Sequence, residues 1–368
     1  MRPVHRVLLT LDLPPRQDGG IATLVDVLAT GLQRLGQPTV VYTRGPGEET
    51  RAWDEGRPYP IRRMWGHSWV HHSSRNLLPY IFEIYFKYRP AVLYAAAWQL
   101  AGAPAALARR LGLPVVVLVY GRDVTARPAL PAPVREADRV IALTSWMAGE
   151  LTGRGLAPGR VAVALPGVHE PASPGAAAPP WARWGEGPRV LSVGRLVPRK
   201  GHDRLIDAFP RVLAQVPDAR LLIVGDGPGR SELADRIRRR GLTRAVHLAG
   251  FLSAEELEAT YRAADLFVLP CREEAGGDTE GFGLVFLEAG ARGLPVIGGR
   301  TAGVVEAVRD AETGLLVDGR DPGAIAAACA ALLLDRGQAE ALGRAGRARV
   351  EAEHLPEHYA RRVLEAGP

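Results

Sequence analysis

Cysteine is nearly absent from this chain: Cys271 and Cys329 are the two in 368 residues. They make no disulfide framework, which excludes the small stapled folds and fits a reducing, cytoplasmic setting. Long apolar runs are missing as well. A stretch such as residues 113–120 falls far short of the ~20 residues needed to span a bilayer. The opening MRPVHRVLLTLDLPP has a short apolar part that contains Asp12 and lacks a small-residue cleavage site, so it reads as a first buried strand, not a signal peptide. A dinucleotide fingerprint is also incomplete. Gly225, Gly227 and Gly229 follow a strand-like run, but the third glycine is out of place. No acidic residue stands in residues 244–250, about 20 positions on. This argues against a nicotinamide dehydrogenase.

What is present is ordinary for a globular protein: 47% hydrophobic and 23% charged residues in a length that suits two domains. The net charge of +6 is uneven. Residues 1–180 hold 20 Lys/Arg against 13 Asp/Glu, and residues 181–368 hold 26 against 27. All the excess positive charge therefore lies in the first half. It suits an acidic partner there, whether phosphate-bearing acceptor, anionic lipid or nucleic acid, or else a solvated Arg-rich surface.

Apolar runs at residues 7–11, 39–42, 91–94, 115–120, 140–143 and 161–165 alternate with amphipathic stretches such as 21–35. Strands that are apolar throughout and alternate with helices indicate a parallel sheet covered on both faces. Residues 167–188 change character, with Pro171, Pro174, Pro179, Pro180 and Pro188 following Pro166, and show no period. The strand–helix alternation then restarts at 190–193, 220–224, 246–248, 266–269, 295–297 and 315–317. Ser253 followed by Glu256 has capping-box spacing and marks a helix start. The expectation is two doubly wound α/β domains, 1–170 and 189–349, joined by a linker at 171–188. Residues 339–365 are strongly helical, and from about 350 to 368 they return to the first domain. Such paired sheets bind ligands at the carboxyl ends of their strands, with a cleft between them.

Two segments of the second domain carry chemistry. In VLSVGRLVPRKG a strand ends at Val193, Gly194 lets the backbone turn closely, and Arg195 and Lys200 precede a helix opened by Gly201, a setting for a diphosphate. In CREEAGGDTEGFGLVFLEAGARGLPVIGG a Gly-rich loop leads through Gly281, Phe282 and Gly283 into an apolar helix ending near Gly293. Glu280 precedes that helix and Glu288 lies two turns inside it. A carboxylate among Leu284, Val285, Phe286 and Leu287 needs a partner, which a sugar or ribose hydroxyl pair would supply.

The E-x7-E spacing of Glu280 and Glu288, with EGFGLVFLEAGARGLPVIG around it, resembles retaining glycosyltransferases of the GT-B fold, family four. VGRLVPRKG, LLIVGDGPGRSEL, HLAGFLSAEELEATYRAADLFVLP and GLLVDGRDP extend the resemblance, in the expected order, over roughly residues 188–345. The first half matches through Gly19 and Gly20 and through YGRD at Tyr120, Gly121, Arg122 and Asp123. The loop of Gly276, Gly277, Asp278 and Thr279 looks most like the phosphatidylinositol-mannoside mannosyltransferases.

The resemblance implies two Rossmann-like domains facing across a cleft. It implies hexosyl transfer from a nucleoside-diphosphate sugar to a lipid-linked, glycan or small-molecule acceptor. Arg195 and Lys200 would bind the donor diphosphate, and Glu280 the sugar hydroxyls without acting as nucleophile. Glu288 would hold the ribose, while the backbone of Phe282, Gly283, Leu284 and Val285 meets sugar and phosphates. Gly194 would lie near the phosphates, residues Phe251 and Leu252 near the base, and Gly19 and Gly20 would let the first domain approach the donor. Tyr120, Arg122 and Asp123 fall on the acceptor and sugar side. Tyr120 stands where the family frequently has His, which bears on the choice of sugar. No metal or other cofactor and no nucleic acid is expected, while the basic, aromatic first half points to an anionic or lipid-linked acceptor and to contact with the inner membrane face. A non-catalytic nucleotide-sugar-binding protein and a sugar-nucleotide epimerase are the alternatives.

Other patterns carry less. Asp278 and Glu280 are a weak divalent-cation signal. His354 and His358 spell H-x-x-E-H, but Pro356 breaks the helix that a zinc protease requires. His67, His71 and His72 lie in an aromatic, basic stretch that suits an acceptor pocket, a membrane surface or a partly buried helix.

Overall fold

The computed structural model describes residues 4–11, 13, 19–45, 48–64, 77–88, 91–121, 129–173, 175, 177–183 and 186–368. The chain divides into two compact units, one of Met1–His169 with Glu353–Pro368 and the other of Glu170–Ala352.

Unit 1 contains β1 (His5–Leu9), α1 (Gly20–Arg34), β2 (Thr39–Arg44), α2 (Glu48–Glu55), β3 (Ile61–Met64), α3 (Leu78–Tyr88), β4 (Ala91–Ala95), α4 (Ala103–Arg110), β5 (Val115–Val119), α5 (Ala132–Glu136), β6 (Arg139–Ala142), α6 (Ser145–Gly153) and β7 (Val161–Val163). Among the described residues the sheet runs β3-β2-β1-β4-β5-β6-β7, parallel throughout. β4 and β5 are buried at every position, as strands covered on both faces must be. Their β-branched and apolar residues therefore need no alternation. β3 is the exception that the sequence hides. Its Ile-Arg-Arg-Met run looks polar, but it is an edge strand, and edges carry charge to block further pairing.

Unit 2 contains β8 (Arg189–Val193), α7 (His202–Leu213), β9 (Arg220–Val224), α8 (Arg230–Arg239), β10 (Val246–Gly250), α9 (Ala254–Arg262), β11 (Leu266–Leu269), α10 (Leu284–Ala291), β12 (Val296–Gly299), α11 (Val304–Ala307), β13 (Leu315–Val317), α12 (Pro322–Leu334) and α13 (Arg336–Glu353). Its sheet order is β10-β9-β8-β11-β12-β13, again parallel. The leading strand β8 sits mid-sheet, so its carboxyl end opens at the switch point where such sheets take ligands. Leu205, Ile206 and Phe209 of α7 are fully buried against β8, β9 and β11, each contributing roughly 2 kcal/mol of burial. The capping box at α9 forms as expected, with Ser253 Oγ accepting from Glu256 N and Glu256 accepting from Ser253 N.

The Pro-rich stretch is not a bare tether. It contains a 3-10 turn, Pro180–Arg183, whose buried Trp181 donates its indole N–H to Thr260 O at 3.2 Å. At the far end α13 stops at Glu353 and α14 (Pro356–Ala366) begins, with Pro356 at its first turn. α14 belongs to unit 1 and packs along α1. Val168 N donates to His354 O and His354 Nδ1 meets Pro166 O, both at 2.8 Å, while Arg362 donates to Leu165 O at 3.0 Å. No helix among the described residues is long and apolar enough to cross a membrane.

Candidate functional site

Three strands of unit 2 turn out of the sheet together. Gly194 N donates to Val224 O at 2.9 Å and Gly225 N to Gly250 O at 2.8 Å. Arg195, Asp226 and Phe251 therefore leave from one edge, at the carboxyl ends of β8, β9 and β10. Arg195 is exposed, Leu252 is half-buried, and Phe251 is 75% exposed, an apolar ring available for stacking.

The turn after β8 passes through a 3-10 segment, Pro198–Lys200, and closes on Gly201. Gly201 has φ +75, and a Cβ there would lie 2.0 Å from Pro270 O, so only glycine fits. The close approach sets Lys200 beside the loop that leaves β11. That loop is itself braced. Arg272 N donates to Arg199 O at 2.9 Å, and the Arg272 guanidinium holds Asp203 at 2.7 Å and Glu274 at 2.6 Å. Glu274 N donates to Asp278 O at 2.9 Å, closing a small antiparallel bridge.

The bracing brings two acids onto two cations. Glu280 Oε2 lies 2.7 Å from Lys200 Nζ and 3.9 Å from Arg199 Nε, and Asp278 Oδ2 is 3.5 Å from Arg199 Nη1. Burial by itself would push the Glu280 carboxyl up. The Lys200 ammonium in contact with it, helped by Arg199 and the Phe282 backbone, holds it below the ordinary carboxylate range. Lys200 shows the converse: burial works to lower it, and Glu280 outweighs burial and raises it. Both groups stay charged at neutral pH. Beneath them, His202 is 2% exposed with Nδ1 3.2 Å from Ser192 Oγ. Burial, reinforced by Lys200, pushes its imidazole down to about 4, so the ring is neutral. Burial also pushes the Cys271 thiol up to about 12, which keeps it from being a nucleophile.

α10 opens on Gly283, with φ +90 and Phe286 packed close below, and no side chain caps its first turn. The backbone of Leu284 and Val285 thus stands at a helix N-terminus without a side-chain competitor, next to buried Phe282. Glu288, expected to need a partner, has one inside the protein: Tyr261 donates its phenol O–H to Glu288 Oε2 at 3.0 Å.

The structure thus joins Lys200 to Glu280 and places Arg195, Gly194, Phe251, Leu252 and Phe282 to Val285 around the carboxyl ends of one sheet. In unit 1, Gly19 is the exposed N-cap of α1, without a side-chain cap, and Gly20 is its first residue. Tyr120 follows β5 and is half-buried. Arg122 and Asp123, like His67, His71 and His72, lie outside the described residues. The H-x-x-E-H pair serves backbone instead: buried His354 meets Pro166 O, and His358 Nδ1 accepts from Leu355 N at 3.2 Å. Sequence reasoning missed Arg199, Arg272 and Tyr261. Arg199 adjoins Lys200 and was the one within reach; the other two act through contacts that leave no spacing signal.

A model described as glycosyl transferases group 1 matches residues 179–349, and one described as glycosyltransferase family 4 matches residues 18–172. The chain is 36% identical over 364 residues to the GDP-mannose-dependent alpha-(1-6)-phosphatidylinositol monomannoside mannosyltransferase of Mycolicibacterium smegmatis, covering 93% of this chain and 92% of that one. It is 46% identical over 172 residues to the Mycobacterium tuberculosis protein of the same description, covering 46% of this chain and 45% of that one. Among solved structures, sucrose-phosphate synthase from Thermosynechococcus elongatus superposes with a TM-score of 0.78 at 25% identity over 98% of both chains. Anabaena HepE in complex with UDP-glucose does so with a TM-score of 0.77 at 19% identity over 98% of both, a likeness of fold.

Proposed function

The chain belongs to the glycosyltransferases of the group 1 and family 4 models, and from that premise we propose that it transfers mannose, with retention, from GDP-mannose to a phosphoinositide acceptor. The observation that carries the reading is the buried Lys200–Glu280 contact of 2.7 Å at the carboxyl end of β8. The mannosyltransferase likeness over 93% of the chain supports the choice of donor and acceptor.

In this mechanism Lys200 and Arg195 bind the donor diphosphate and stabilise charge gathering on the leaving phosphate. The Lys200 ammonium has three N–H donors, so it serves Glu280 and a phosphate oxygen together. Glu280, ionised and held by Lys200, accepts from the sugar hydroxyls. As the bond from the anomeric carbon to the phosphate oxygen breaks, the acceptor oxygen bonds to the same face of that carbon and its proton passes to the leaving phosphate. No enzyme carboxylate becomes covalently attached. Glu288 takes the ribose hydroxyls, and Phe251 and Leu252 border the base. The two cations do the work of a divalent ion, so no metal takes part.

The acceptor reading also rests on unit 1. Phe82 and Phe86, one helical turn apart on α3, are 45% and 80% exposed, with Lys87 beside them. Exposed aromatics next to a cation suit the surface of an anionic membrane, so the enzyme works as a peripheral protein.

The test offers GDP-mannose, UDP-glucose and ADP-glucose to the protein with phosphatidylinositol monomannoside in vesicles, with EDTA present. Mannolipid from GDP-mannose, with an α-linkage by NMR, is the expected product. Transfer from UDP-glucose or ADP-glucose alone would overturn the donor, a β-linkage would overturn retention, and loss of activity in EDTA would overturn metal independence. A protein that stays in the supernatant when anionic vesicles are pelleted at low salt would remove the membrane reading.

A further inference from the structure

Glu288 sits on α10, and its carboxylate is not set by that helix alone. Tyr261, the penultimate residue of α9, is 1% exposed and gives its O–H to Glu288 Oε2 at 3.0 Å. The Tyr261 ring is held on both sides. It stacks on Phe267 of β11 with centroids 6.1 Å apart, and Phe267 meets Phe286 of α10 edge-on at 5.7 Å. The Arg292 guanidinium lies 4.8 Å over the same Tyr261 ring. Arg292 also donates to the Glu288 backbone oxygen at 2.7 Å and binds buried Glu258, whose other oxygen takes Arg262 at 2.7 Å. A cation stacked on the ring, a carboxylate locking that cation and a second aromatic behind leave the phenol one direction to point.

We propose that Tyr261, clamped by Arg292 and Phe267, is a positioning residue that orients the Glu288 carboxylate toward the ribose of the donor nucleotide. The inference rests on the reading of Glu288 as the ribose-binding residue and extends it to a side chain that touches no substrate. A carboxylate on a single helix has two free torsions beyond Cβ. Fixing one oxygen by a charge-assisted hydrogen bond from a rigid ring removes that freedom before the ligand arrives. Burial, with the Glu288 charge added to it, keeps the phenol protonated, so it acts as a donor throughout the ordinary pH range.

The test measures binding of GDP, UDP and ADP to the full-length protein by calorimetry, each against its 2′,3′-dideoxy counterpart, so that the choice of base does not matter. The unaltered protein is expected to favour the ribose forms by about tenfold or more, the worth of hydrogen bonds to a charged group. Glu288→Ala is expected to abolish that preference. Tyr261→Phe, which removes one oxygen and keeps the stack, is expected to remove most of it. The double variant is expected to be no weaker than Glu288→Ala alone. A full ribose preference in Tyr261→Phe overturns the inference while the Glu288 reading stands. A preference that survives Glu288→Ala, or is missing from the unaltered protein, overturns the reading beneath it. Should the phenol variant unfold, Arg292→Lys loosens the clamp with the hydroxyl in place: a reduced preference supports the proposal and an intact one overturns it. A role in packing alone would lower the melting temperature without changing the ratio of ribose to dideoxyribose binding.

Discussion

In unit 1 the leading strand reaches α1 through Gly19, where a Cβ would meet nothing within 4 Å among the described residues. In unit 2 the leading strand reaches α7 through Gly201, where a Cβ would strike Pro270 O at 2.0 Å. The two sheets share the order 3-2-1-4-5-6, and in both the first crossover arrives at its helix on a glycine. The same residue at the same topological place serves opposite ends. Gly201 has φ +75 and lets backbone press on backbone, which locks Lys200 against the β11 loop. Gly19 has φ −164, an extended conformation open to any residue, and caps α1 without a side chain. The contrast separates a glycine needed for packing from one that no described residue crowds. Charge follows the same division: ion pairs interlock Arg199, Lys200, Asp278 and Glu280, while α1 carries no acidic residue in its first turn and no side chain capping it.

That contrast can be broken in four places. Lys200→Ala carries the largest effect, a loss of transfer of about 10³-fold in a steady-state assay. The fold should persist, because Arg199 remains 3.9 Å from Glu280; near-normal turnover would sink the role of Lys200. Next comes Gly201→Ala, expected to cost about 3 kcal/mol or more in denaturant unfolding, from strain at positive φ and the clash with Pro270. A loss below 1 kcal/mol, on the order of an ordinary Gly→Ala change, would show that the turn relaxes easily.

The third test is acid. His202 has its imidazole pushed from 6.5 down to about 4, so the unfolded chain binds the extra proton between those values. Stability from His202 is complete above pH 6.5 and is lost as pH falls toward 4, by about 3 kcal/mol. In unit 1 a buried acid on α1 behaves differently: for Asp26 burial is outweighed by His169, Tyr59 and Arg57, which hold its carboxyl below 3.8. Its contribution is present above 3.8 and goes only in stronger acid. Unit 2 is therefore expected to soften first on acidification, and His202→Gln to flatten that dependence; hydrogen exchange at pH 5 resolves the two units. The smallest effect on stability belongs to Gly19→Ala, within about 0.5 kcal/mol. Transfer should nonetheless fall, and an unchanged rate would remove Gly19 from the site.

Much of this was legible because local rules agree with the fold. Apolar runs such as 220–224 and 266–269 are strands with those bounds, and the Ser253–Glu256 spacing is a capping box. The glycines and acids around α10 could be placed because a helix start after a strand has a fixed length scale. β3 escaped notice because its two arginines suit an edge, which periodicity does not distinguish from a loop. Tyr261 escaped for another reason. It is 27 residues from Glu288, and that meeting depends on β11 lying between their helices. Glu280 was foreseen as facing a sugar, but its contact with Lys200 joins two motifs 80 positions apart, and only the sheet order brings them together.

The return of α14 to unit 1 bears on how the protein is made. Pro356, Tyr359, Ala360 and Val363 cover the face of α1, yet they are translated after all of unit 2. At ~5–20 residues per second, α1 is made and then waits for roughly fifteen to sixty-five seconds before its covering helix exists. The first unit to leave the ribosome is thus the last to close its core. The second, contiguous in the chain, is the one able to reach a finished state during synthesis.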